Sequence, residues 1–169
     1  MSQAPSASTV EWVLLNYRLP REPSTPRITI WRKLKKLGVA QIVDGVVALP
    51  ADARTREQFD WLADEIAEHD GQAGVWVARC TTTDQEQLLR SQMTAARVTE
   101  YNELSAAVSA TESLDARARR AALKRLRSQL RAITRRDFFP PPEREHVETA
   151  LRSLAEALDN SDADAEAVL

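Results

Sequence analysis

The chain has 169 residues and a mass of 18.9 kDa, enough for one ordinary domain or a small domain with a helical extension. Hydrophobic residues make up 43%, but 26 of them are alanine, so large core-forming side chains are fewer than the percentage suggests. Four Gly, eight Pro and no apolar run near the roughly 18–20 residues of a membrane span exclude collagen-like, low-complexity and membrane-crossing chains. The first ten residues lack the charged-then-apolar layout of a secretory signal, and a single Cys80 rules out an internal disulfide or a Cys-based zinc cluster. A cytoplasmic protein is the expectation.

The net charge of −2 conceals an uneven distribution. Residues 1–110 carry 12 basic and 14 acidic side chains, residues 111–137 carry 9 and 3, and residues 138–169 carry 2 and 8. A +6 block is thus followed by a −6 block, which suggests either a polyanion-binding surface or a basic helix masked by an acidic one.

In chain order, residues 1–9 have nothing to bury and are predicted as a disordered leader. Residues 11–19, EWVLLNYRL, predict a central strand, with Val13, Leu15 and Tyr17 on one face and Trp12, Leu14 and Asn16 on the other. PREPSTP ends it and opens a helix capped by Ser24 or Thr25, with Pro26 in the first turn, Ile30, Leu34 and Leu37 inward, and Gly38 as the stop. VAQIVDGVVALP predicts a hairpin whose Asp44-Gly45 suits a type I′ turn with positive φ at both residues. Residues 55–69 predict a second helix with Phe59, Leu62 and Ile66 inward, and QAGVWVARC a fourth strand. The order is βαββαβ, a ferredoxin-like α+β domain over residues 10–82. Residues 83–160 predict a helical extension of about three helices. Their apolar series are Leu89, Met93, Ala96, Leu104 and Val108; Leu114, Ala118, Ala122, Leu126, Leu130 and Ile133; and Val147, Leu151, Leu154 and Leu158. Residues 161–169 form an acidic tail. Ala-rich helices of this kind also suit a homodimer seam.

Catalytic signals are thin. His69 and His146 stand in unrelated contexts, and no phosphate-binding glycine loop, nucleophile elbow or metal-ligand spacing is present, so neither enzyme activity nor a cofactor or metal is expected. Cys80 reads as a small apolar residue without a resolving thiol. Anion binding has a better case: Arg18, Arg21 and Arg27 surround a helix start supplied by Ser24 and Thr25, where guanidinium groups and free backbone N–H groups converge. The bland alternative is a capped helix whose arginines pair with Glu22 and other carboxylates. For DNA, two basic surfaces qualify: Arg32, Lys33, Lys35 and Lys36 on the first helix, and Arg117, Arg120, Lys124, Arg127 and Arg131 on the late one. Trp12 and Trp76 could share a sheet face for RNA stacking, although the hairpin strand lacks the aromatics such sheets use.

The segments NYRLPREPSTPRITIWRKLKKLG, Asp44-Gly45, Leu49-Pro50 and RVTEYNEL, with Arg97, Glu100 and Tyr101, resemble the N-terminal domain of the ChrB chromate-resistance regulators over about the first 105 residues. The resemblance implies a cytoplasmic, dimeric transcriptional regulator or accessory factor that binds operator DNA and responds to chromate or a similar oxyanion. The alternative is an anion sensor or scaffold acting through a protein partner. Regulators of this family typically continue into a second, C-terminal domain, so the resemblance implies either a stand-alone paralogue or half of a split system whose partner supplies that domain. More distantly, the βαββαβ order with strand-Tyr-x-x-Pro looks like the small CRISPR adaptation nucleases and the corresponding domain of PaaX-type repressors. Those nucleases carry a metal-binding Asp directly after the strand Tyr; here that position is Arg18, which cannot ligate Mg²⁺.

Overall fold

The structure, a computed structural model, describes residues 10–167, with side chains as far as Ser161; the expected leader, residues 1–9, lies outside the described residues. Strand β1 (Glu11–Arg18) leads to helix α1 (Thr25–Leu37), the hairpin β2 (Ala40–Val43) and β3 (Val46–Pro50), helix α2 (Ala53–Glu68) and β4 (Gln72–Arg79). Helices α3 (Thr83–Ser109), α4 (Ala116–Thr134) and α5 (Pro142–Ala167) follow, with a short 3-10 turn at Ala110–Ser113. The chain forms two compact units, Met1–Met93 and Thr94–Leu169.

In the first unit the sheet order is β2-β3-β1-β4 and every pairing is antiparallel, as the ferredoxin-like βαββαβ order requires. β1 is the central strand. Alternation puts Val13 and Leu15 opposite Leu49 and Val47, and these four join Ile30, Leu34, Phe59, Leu62 and Ile66 in the buried set. Trp12 and Ala48, on the other face, are buried as well. Trp12, 1% exposed, is therefore no base-stacking platform, and the RNA-face reading fails there.

The helix starts differ from expectation. Ser24 is the N-cap of α1 but its side chain makes no capping bond and its backbone is helical; only its carbonyl is used, accepting from the Ile28 N–H at 3.1 Å. Gly38 ends α1 with φ 75°, as expected. α2 begins before Thr55, because Asp52 accepts from the Thr55 N–H at 2.7 Å while the Thr55 hydroxyl accepts from the Asp52 N–H at 2.9 Å. The Asp44-Gly45 hairpin forms, but not as a type I′ turn: Gly45 has φ 75° whereas Asp44 is not in the left-handed region. The physical reason is β1. Gly45 O accepts from the Tyr17 N–H at 2.7 Å, and a Cβ on Gly45 would lie 2.6 Å from Tyr17 O, so the turn is shaped to extend the β1–β3 ladder. A register shift between Gln41 and Val43 absorbs the mismatch in β2.

In the second unit the core comprises Tyr101, Leu104 and Val108 of α3, Ala122, Leu123, Leu126 and Ile133 of α4, and Val147, Leu151 and Leu158 of α5. Two expected core positions are corrected. Ala96 is exposed and Arg97 is buried in its place; Leu114 is exposed and precedes α4. α5 continues past Asn160, so the acidic stretch begins as helix. Arg97 is buried because it is paired: its guanidinium lies 2.7 Å from Glu100 Oε2 and donates to Arg136 O at 3.2 Å, while Arg136 reaches Glu100 Oε1 at 2.6 Å. One turn on, the Tyr101 hydroxyl donates to Asp137 Oδ2 at 2.7 Å, and the Asp137 side chain is fully buried. Arg97, Glu100 and Tyr101 thus fasten α3 to the α4–α5 connection.

Burial, then the Asp137 hydrogen bond, raises the Tyr101 phenol above its ordinary value of 10.0. Tyr101→Phe should cost about 1–3 kcal/mol at neutral pH, because a buried carboxyl group loses its donor. A raised phenol favours the fold below its ordinary value, and that advantage is lost as pH rises beyond it. Urea titrations of both proteins should therefore show their difference shrinking above pH ~10. A constant difference would contradict this linkage.

Candidate anion and nucleic-acid surfaces

β1 ends at Arg18, and the chain turns through Pro20 and Arg21 into α1. The β2–β3 turn and the start of β4 flank this end of β1. Together they shape an open hollow of about 1230 Å³ on the first unit. Arg18, Arg21, Ser24 and Arg27 all line it, together with Arg32, which the sequence groups with the residues expected to contact DNA. Thr25 is not part of the lining. Two acids, Asp44 and Asp70, also face the hollow, leaving an excess of positive charge. Among the described residues no carboxylate pairs with Arg18, Arg21, Arg27 or Arg32, and Glu22 makes no ion pair. The surface-pairing alternative is therefore not what these arginines do.

The helix start adds less than expected. Pro26 has no N–H, so only Thr25 and Arg27 among the first three helical positions can present one. Tyr17, beside the turn, has its phenol pushed up by burial and by Asp44, against the opposing influence of Arg27, and so remains a neutral hydrogen-bond donor. The arrangement can bind an anion through guanidinium groups. It is exposed to water, and no group of three or more His, Cys, Asp or Glu among the described residues could hold a metal ion. No local signal marks Asp70, Gln41 and Gln72 as part of the lining; they are remote from PREPSTPR in sequence, and only strand pairing brings them to it.

The remaining α1 cations separate. Lys33 is tied to Glu65 of α2 at 2.5 Å, and Lys35 lies 4.6 Å over the Trp31 ring, while Lys36 is exposed. The first helix therefore carries a short basic patch, half of it already engaged, and does not present an extended basic row.

α4 does. Arg117, Arg120, Lys124, Arg127 and Arg131 are all exposed, and at 100° per residue they fall within an arc of about 80°. Ala122, Leu126 and Ile133 face the opposite way, into the core. Two other arginines of the block have structural tasks: Arg119 donates to the carbonyls of Thr111 and Glu112 and Arg136 pairs with Glu100. Among the described residues, no ion pair joins Arg117, Lys124, Arg127 or Arg131 to an acid of α5. Of the described acids of α5, Asp159 lines the shallow crevice beside Arg120, Lys124, Arg127 and Arg131.

Cys80 follows β4, and burial, then Glu86, raises its thiol above the ordinary value. That favours the unreactive thiol over the thiolate, in keeping with a structural residue. No helix among the described residues is long and apolar enough to cross a membrane.

The family model described as "Protein ChrB, N-terminal" matches residues 27–117. Protein ChrB of Cupriavidus metallidurans is 31% identical over 163 residues, covering 94% of this chain and 50% of that protein. The chain thus spans about half the length of this curated relative. Arg27 and Arg32 fall inside the family match; Arg18 and Arg21 precede it, and most of α4 follows it. With more than half of its residues inside that match and the RVTEYNEL segment within it, the chain belongs to the ChrB N-terminal family.

Proposed function

We propose that this protein is a non-catalytic regulatory factor of chromate resistance that binds DNA through α4 and responds to an oxyanion held at the arginine hollow. Membership of the ChrB family supports the physiological setting. The observation that carries the DNA reading is the α4 stripe. From Arg117 to Arg131 it runs for about 21 Å at 1.5 Å per residue, comparable to six phosphate steps along one strand. Arginine dominates it, and guanidinium forks suit bidentate phosphate contact. The stripe reads charge rather than sequence, so operator choice requires further contacts.

The oxyanion reading rests on the unpaired Arg18, Arg21, Arg27 and Arg32 around one hollow. Chromate is a doubly charged tetrahedral anion, so such a site would recognise charge and shape. A variant of the proposal in which α4 never meets DNA and a protein partner reads the hollow shares this second half.

DNA binding is measured by fluorescence anisotropy with the gene's own upstream sequence at increasing salt. Affinity should fall steeply. Joint replacement of Arg117, Lys124, Arg127 and Arg131 by Gln should flatten the slope by roughly 0.9 for each phosphate left unneutralised, about 3–4 in all. No binding near ~50 mM salt removes the DNA half of the proposal. For the anion, Arg27→Ala should weaken chromate binding about five- to tenfold by isothermal titration, the ~1–1.4 kcal/mol of one charge-assisted hydrogen bond open to water. Sulfate should compete. Equal, weak binding to both proteins would reduce the hollow to a helix start.

A further inference from the structure

The two outer edges of the sheet are treated differently. β2 is four residues long, is broken by the shift between Gln41 and Val43, and is covered by a side chain: Gln92 Oε1 accepts from the Gln41 N–H at 2.8 Å and Gln92 Nε2 donates to Gln41 O at 3.3 Å. These are the devices by which proteins keep an edge from pairing. β4 has none of them. It runs eight residues in unbroken register with β1, from Arg18↔Gln72 to Glu11↔Arg79, without Lys, Pro or bulge.

The orientation of its backbone follows from β1. The Tyr17 N–H and the Glu11 carbonyl are used on the β3 side, so by alternation Trp12, Leu14 and Asn16 turn theirs to β4. Their partners Ala78, Trp76 and Gly74 face inward, which leaves the N–H and C=O groups of Ala73, Val75, Val77 and Arg79 on the outer edge. No backbone bond to that edge occurs among the described residues. The side chains beside it are apolar and open to water: Trp76 is 62% exposed and Val77 49%. Trp76 is also held in place, its indole N–H donating to Asn16 Oδ1 at 2.6 Å, and Gly74 leaves the space, since a Cβ there would lie 2.9 Å from Trp76 Nε1.

We propose that β4 is a dimerisation edge that pairs antiparallel with β4 of a second copy about a two-fold axis at Trp76, joining two sheets into one of eight strands. The occupant follows from self-complementarity. Val75-Trp76-Val77 reads the same in both directions, so an antiparallel copy sets Trp76 against Trp76 of the partner subunit and Val75 against Val77 of the partner subunit. Val75 and Val77 carry outward backbone groups and form the hydrogen-bonded pairs. Trp76 falls at the non-hydrogen-bonded position, where Cα atoms approach to about 4.5 Å and aromatic pairs meet most closely. No like charges oppose each other, because Arg79 faces Ala73 of the partner subunit. A two-fold contact of this kind closes on itself and cannot propagate into a fibre. This assignment concerns the first unit alone and stands whether or not α4 binds DNA.

Sedimentation of the full chain tests it. The wild type should show the dimer mass, and Val77→Pro, which removes an outward N–H not used within the subunit, should show the monomer mass with unchanged far-ultraviolet circular dichroism. Because proline could disturb the strand, cross-linking provides a second measurement. In a Cys80→Ser background, Trp76→Cys should oxidise readily to a covalent dimer, whereas Val77→Cys, which faces Val75 of the partner subunit, should not. A wild-type monomer, a dimer that survives Val77→Pro, or equal cross-linking at both positions would overturn the proposal.

Discussion

Strand β1 is the element to which the first unit is referenced. It is hydrogen-bonded along both edges, to β3 and to β4, and its register fixes the position of nearly everything else. Because Tyr17 donates to Gly45 O, the hairpin turn is held by a strand outside the hairpin itself. Because Arg18 is paired to Gln72 at the start of β4, the α2–β4 turn with Asp70 comes to the same end of the sheet as the PREPSTPR segment. The arginine hollow is a consequence of that pairing, and so is the uncovered outer edge of β4.

Signals that are local in sequence are legible. Pro26 and Gly38 bracket α1, Asp44-Gly45 marks the hairpin and Pro50 ends β3, since each is a property of one or two residues and their φ. What the sequence does not show depends on distant residues. The left-handed conformation expected at Asp44 gives way to the demands of a ladder built on β1. The series through Ala96 is out of phase because apolarity is a poor guide where a charge is buried in a network. Arg97 holds the inward position through Glu100, which is local, but also through Arg136, far along the chain. The hollow is half legible: Arg18, Arg21, Ser24 and Arg27 cluster in the sequence itself, while Arg32, Asp44 and Asp70 join them through the fold.

Arginine performs two unlike tasks within one family-specific stretch and its neighbour. Arg97 and Arg136 are drawn inward and share one carboxylate, Glu100, in a network whose removal in part would leave charge buried without a partner. Arg119 closes the turn before α4 by donating to carbonyls. These account for part of the basic block without reference to any ligand. The resemblance carried by RVTEYNEL is therefore, in its chemistry, a resemblance of architecture.

Among the described residues, Arg117, Lys124, Arg127 and Arg131 of α4 have no such account. The matching +6 and −6 blocks suggest that α5 neutralises α4, but the two helices meet through Ala122, Leu126, Val147, Leu151 and Leu158. A helix that buries one face turns the opposite face away from its neighbour, and among the described acids of α5 Asp159 reaches the margin of the stripe. Along that stripe Arg117, Arg120, Lys124, Arg127 and Arg131 succeed one another at spacings of three and four, where like charges each cost about 0.2–0.5 kcal/mol. Interleaved acids would have removed the cost and kept the helix just as water-compatible. Arg117, Lys124, Arg127 and Arg131, with no acid partner among the described residues, thus lower the stability of the free protein, a cost that a bound polyanion would offset.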